Sequence, residues 1–124
     1  MPKNTKTEES ILFPEVKVGD IVIKPWSFGK LFDLSLLLDK ALTKLDESGV
    51  DIEKALSEST ISYLTIAKFF SLVSEEILDV ISITLDKDKE EIKKLSMEDG
   101  IKTAFVIFNQ NKEIIKNAFS SLTK

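Results

Sequence analysis

Between Phe28 and Leu45 apolar residues return at three- and four-residue steps: Phe28, Leu31, Phe32, Leu38, Leu42 and Leu45, with Leu34, Leu37 and Ala41 widening the stripe. That period belongs to an amphipathic helix and not to a strand. A stripe this wide touches more than one neighbour, so the helix is expected to be the central one of a helical domain. Ser27 supplies an N-cap, and Asp46-Glu47-Ser48-Gly49 ends the pattern with a glycine stop. Upstream, Pro25 has no amide hydrogen and biases Lys24 toward extended geometry, so the chain must turn at Lys24-Pro25-Trp26. Trp26, the single tryptophan, stands just before the cap, where its ring can brace the first turn as a hydrophobic staple.

The rest of the chain arranges itself around that helix. Val16, Val18, Ile21 and Ile23 straddle Gly19-Asp20, the composition of two short strands and a tight turn. Asp51 caps a short polar helix to about Leu56. A nearly all-apolar segment from about Thr60 to Val73 reads as a helix, and Ser74 with Glu75-Glu76 reads as the start of another, running to about Leu85. Val80 to Leu85 is β-branched and alternating, which keeps a strand open there. Asp86 to Lys94 reads as a turn and a short surface helix. Ser96 and Asp99 form an S-x-x-D box before a last helix, whose seam through Ile101, Phe105, Phe108, Ile115, Phe119 and Leu122 is interrupted at Lys112. Asn109-Gln110-Asn111-Lys112 makes a polar belt across its middle.

The expected fold is therefore mainly α (α+β), a short N-terminal β-hairpin followed by a compact bundle of four to five helices. Residues 1–10, MPKNTKTEES, read as a disordered arm, and 11–124 as one domain. With 124 residues the chain can bury about two thirds of its unfolded surface without disulfide or metal. No cysteine is present, which suits a reducing compartment. No export signal or membrane span is read from the sequence, and a cytoplasmic location is expected.

Composition removes most chemistry. The chain has no His and no Cys, and its seventeen basic residues are all Lys. The usual general base near neutral pH, the commonest metal ligands and the bidentate guanidinium are missing together. Neither an enzyme nor a nucleic-acid binder is expected, and no cofactor is implied. The acidic pairs Glu75-Glu76, Asp86-Asp88 and Glu90-Glu91 lie among Lys and read as solvated helix faces. A calcium loop starting at Asp86 would need Gly at its sixth place and Glu at its twelfth, where Glu91 and Met97 stand. Gly29-Lys30 mimics the end of a phosphate loop, but Leu31 holds the Ser/Thr place and Lys24 the first Gly place.

What remains is apolar surface. Each of Trp26, Phe28, Phe69, Phe70, Phe105, Phe108 and Phe119 is more often core than groove when taken singly. Together, helices apolar over most of their circumference in so small a domain leave patches that mark partner sites, and these seven are the candidate partner-binding residues. A groove between helices that receives an amphipathic helix is the expected form. The oligomeric state is left open, with room for a homo-oligomer.

The hairpin closing as Ile23-Lys24-Pro25-Trp26-Ser27-Phe28-Gly29-Lys30, the leucine-rich helix, and the path through Asp99-Gly100 to IFNQNKEIIKNAF resemble the tail assembly chaperones of long-tailed bacteriophages and prophages over about residues 16 to 122. The resemblance implies a non-enzymatic role in tail morphogenesis. Such a protein binds the helical, aggregation-prone tape measure protein, keeps it soluble and helps recruit tail tube subunits, and it is absent from the mature virion. It implies no catalytic residue. A small head or tail connector subunit, or a helical adaptor or regulatory protein unrelated to phage, are the alternative readings.

Overall fold

A computed structural model of the chain describes residues 15–57 and 60–122. Two strands, β1 (Val16–Val18) and β2 (Ile21–Ile23), pair antiparallel with Val16 opposite Ile23 and Val18 opposite Ile21. The turn between them places Gly19 at φ +60, where a side chain is disfavoured. Six helices follow among the described residues: α1 (Phe28–Glu47), α2 (Ile52–Ser57), α3 (Tyr63–Leu85), α4 (Lys89–Lys93), α5 (Met97–Gln110) and α6 (Lys112–Leu122). The mainly helical fold with an N-terminal hairpin is thus as the sequence implies. The expected disordered arm, residues 1–10, lies outside the described residues.

The predicted caps are in place. Ser27 Oγ accepts from the Lys30 amide at 3.3 Å, Asp51 Oδ1 from Lys54 at 3.0 Å, and Ser96 Oγ from Asp99 at 3.1 Å. Gly49 sits at φ +83 just past α1, the left-handed stop that a glycine provides.

One boundary lies where the sequence reading puts it and one differs. Val73 (φ −134, ψ 42) leaves helical geometry inside α3, so two helical halves meet at the Val73-Ser74 boundary that the sequence reading places there. The second half of α3 runs on through Val80 to Leu85, which is helical and not a strand. The first cap of α3 is Ser62, whose Oγ accepts from the Thr65 amide. The last helix, by contrast, is two. Asn111 leaves helical geometry (φ −114, ψ 19) between α5 and α6, because its side chain bonds the backbone and so competes with the helix ladder.

One buried cluster receives side chains from both strands and all six helices, among them Ile23, Leu34, Ile52, Ile66, Ile92, Ile107 and Ile115. The core row of α1 is Leu34, Leu38, Leu42 and Leu45, and it faces α3 and α6. Lys30, in the first turn of α1, donates from Nζ to the Ile83 carbonyl and to Asp86 Oδ1, both at 2.7 Å. A cation thereby meets the unpaired carbonyl end of α3, whose cap Asp86 is left-handed at φ 54. At its other end α1 reaches the bend of α3 through Lys44, which contacts Glu76. The two helices therefore run antiparallel.

Candidate functional site

The corner at Lys24-Pro25-Trp26 is fastened by the polar belt. Asn111 Oδ1 accepts from the Trp26 amide at 2.9 Å, and its Nδ2 donates to the Ile107 carbonyl at 2.8 Å. Gln110 Nε2 donates to the Ile23 carbonyl at 3.1 Å. Asn109 grips the approach to α3, accepting from the Ile61 amide at 2.6 Å and donating to the Ile61 carbonyl at 3.2 Å. Backbone groups that no helix or strand serves are satisfied by three consecutive amides, as burial requires. The Trp26 indole donates to Thr84 Oγ1 at 2.8 Å, and that hydroxyl donates onward to the Val80 carbonyl. Trp26 thus does more than staple its own helix: it joins the hairpin exit to α3 and to the α5–α6 break.

Trp26, Phe69 and Phe108 are buried in the core, which corrects the expectation that they offer a surface to a partner. Phe70 and Phe105 are half-buried, and Phe105 lies stacked beneath Tyr63 with ring centroids 4.2 Å apart. The side chain of Phe119 falls outside the described residues. Of the seven candidates Phe28 alone, among the described side chains, stands fully in solvent, at 77% exposure.

Phe28 has company that the sequence reading did not assign. Phe32 is 72% exposed and Leu36 70%. The three fall at i, i+4 and i+8, so they form one row on the outward face of α1. The two rings meet edge to face with centroids 5.1 Å apart. The signal was present in the width of the α1 stripe. Both the Phe28-Phe32-Leu36 row and the Leu34-Leu38-Leu42 row satisfy helical spacing, and only packing against α3 and α6 selects the second for the core. A smaller exposed group, Leu64 with the half-exposed Tyr63 and Leu72, lies on the N-terminal half of α3.

Past Leu36 the same outward face turns polar, with Asp39, Lys40, Thr43, Asp46 and Glu47 exposed. The outward face of α1 is therefore an apolar row followed by a stretch of mixed charge.

Glu76, read as solvated, is 4% exposed. Its Oε2 meets Lys44 Nζ at 2.7 Å, and that hydrogen bond is the main reason its carboxyl lies below the usual carboxylate range, against the opposing effect of burial. A carboxyl whose folded pKa is depressed stabilises the fold above its unfolded value, about 4.3, and the contribution fades as pH falls through the folded value. Lys44→Ala is expected to cost about 2 kcal/mol at pH 7, because it strips a covered carboxylate of its cation. Urea midpoints of the wild type and the variant should draw together as the pH falls from the unfolded carboxyl value, about 4.3, through the depressed folded value, where Glu76 takes up a proton.

An apolar cavity of about 40 Å³ lies among α1, α2, α3, α5 and α6, walled by residues including Leu42, Ile52, Phe69, Val73 and Phe108. Its apolar walls offer water few partners, so it is a packing void beside the α3 bend. Among the described residues no group of His, Cys, Asp and Glu is arranged to hold a metal ion, and no helix is long and apolar enough to cross a membrane.

Comparison of the chain with protein-family models, with curated proteins and with solved structures finds no match.

Proposed function

We propose that this protein is a holding chaperone of phage tail assembly, one that covers apolar segments of the tape measure protein and helps bring tail tube subunits to it. The observation that carries the reading is the Phe28-Phe32-Leu36 row, left in water by a chain that otherwise closes its core. Large contiguous apolar side chains on a small domain are the ordinary mark of a protein partner, and a single row on one helix fits the apolar face of an amphipathic client helix. The likeness of the hairpin corner and the final helices to tail assembly chaperones selects the tape measure protein among such clients. The protein acts in the cytoplasm of the bacterial host and leaves before the virion is complete.

The energetics suit a contact that must later be undone. Burying an exposed Phe or Leu contributes about 1.5–3 kcal/mol, so three anchors supply about 4.5–9 kcal/mol, and ordering costs leave a client held at a Kd no tighter than roughly micromolar. No turnover is required of it.

Co-expression with the tape measure protein encoded in the same genome is the test. The wild type is expected to keep that protein in the soluble fraction, and Phe28→Ser with Phe32→Ser to lose most of that effect while retaining the helical circular dichroism of the parent. Both rings are exposed, so their loss removes little core. A wild type that leaves the tape measure protein insoluble, or one found in stoichiometric amount in purified particles, defeats the proposal; the latter outcome favours a connector subunit.

A further inference from the structure

We infer that in the absence of a client the Phe28-Phe32-Leu36 row is covered by a second copy of this chain, with the two α1 helices packed antiparallel about a two-fold axis near Phe32. The inference rests on the reading of that row as a binding surface, but it holds whichever polypeptide the client is. The row is symmetric about its middle member: a two-fold axis at Phe32 sets Phe28 of each copy against Leu36 of the other, the self-complementary pattern of an isologous contact.

The charges select the direction. Asp39, seven residues beyond Phe32, is exposed, and on a helix it returns to the side of the row occupied by Phe28 and Phe32. Seven residues before Phe32 lies Pro25, between the exposed Lys24 and the start of α1. The first turn of α1 contains no acidic residue, so the helix does not itself neutralise its positive end. Antiparallel pairing brings Asp39 of each copy to that end of the other. Parallel pairing would set Asp39 against Asp39, two like charges on the contact side. Three apolar residues per copy make a contact smaller than the roughly 800 Å² per partner of a stable complex, so the dimer dissociates readily and gives way to a client.

Sedimentation equilibrium of the full chain from about 5 to 500 µM brackets the affinity such a contact allows. The mass is expected to rise from the monomer's 13.9 kDa toward twice that value. Phe32→Ser should raise the dimer Kd about tenfold or more, and Asp39→Lys should weaken the dimer most at low salt. Because the chain has no cysteine, a single one reports apposition directly. Ser35→Cys, one turn from Phe32, is expected to cross-link to itself through a short bismaleimide, since the two sulfurs stand about 10 Å apart in the antiparallel pair, and Ser74→Cys, exposed on α3, is not. The inference is overturned by a monomer at every concentration, by a dimer indifferent to Phe32→Ser, by equal cross-linking at both cysteines, or by a dimer that forms only after residues 1–14 are deleted, since the chain would then cover the row itself. Any of these leaves the co-expression result standing.

Discussion

Trp26→Ala is expected to lower the unfolding free energy by about 3–5 kcal/mol, the usual cost of emptying a large aromatic site. Against a domain total of about 5–15 kcal/mol this is a large fraction, and the melting temperature should fall by about 10–20 °C. The reason is the number of elements that meet at one side chain. The ring fills the junction of hairpin, α1 and α3, and its indole donates to Thr84 on α3. Trp26→Phe separates the two effects: it keeps most of the apolar volume, drops the indole bond, and should cost only about 1–2 kcal/mol. Urea unfolding followed by far-ultraviolet circular dichroism measures both. A loss below about 1 kcal/mol for Trp26→Ala would mean that the hairpin is not anchored through this residue.

Asn111→Ala carries the second large effect, about 2–3 kcal/mol, from a side chain with almost no exposed surface. The substitution removes the acceptor of the buried Trp26 amide, and a buried donor left without a partner costs its full desolvation. It also removes the side-chain donor to the Ile107 carbonyl, but that carbonyl keeps the amide of residue 111, so the Trp26 amide is the backbone group that loses its partner. Hydrogen exchange gives the more specific reading. The Trp26 amide should lose protection well ahead of the amides in the middle of α1, because the corner opens locally before the domain unfolds. Equal loss at both places would assign Asn111 a general packing role instead. The effects of Trp26→Ala and Asn111→Ala should not add, since the residues touch and report on one junction.

These two residues also separate what could be read in the sequence from what could not. That Trp26 matters to the corner followed from its place between a proline and a cap. That Asn111 is buried did not follow, because Asn109, Gln110 and Asn111 in a row read only as a polar belt, and their partners at Ile23, Trp26 and Ile61 are 48 to 87 residues away. Glu76 misled in the same way. Its neighbours in sequence are polar, whereas the residue that decides its charge, Lys44, comes from α1. For the exposed apolar row, the existence of surplus apolar side chains was legible in helices apolar over most of their circumference. Which ones were surplus was not: Trp26, Phe69 and Phe108 are core, and Phe32 and Leu36, which fit the core spacing equally well, face water.

The amino-acid sequence by itself determined the elements and their ends, because period, cap, proline and glycine act within a few residues of where they stand. The hairpin turn at Gly19, the caps at Ser27, Asp51 and Ser96, and the stop at Gly49 are all of that kind. Tertiary structure alone decided where the last helix breaks, which row of α1 is buried and which carboxylate is covered. Each of those depends on what a distant segment brings against the residue, and burial and hydrogen-bond partnership are properties of the pair.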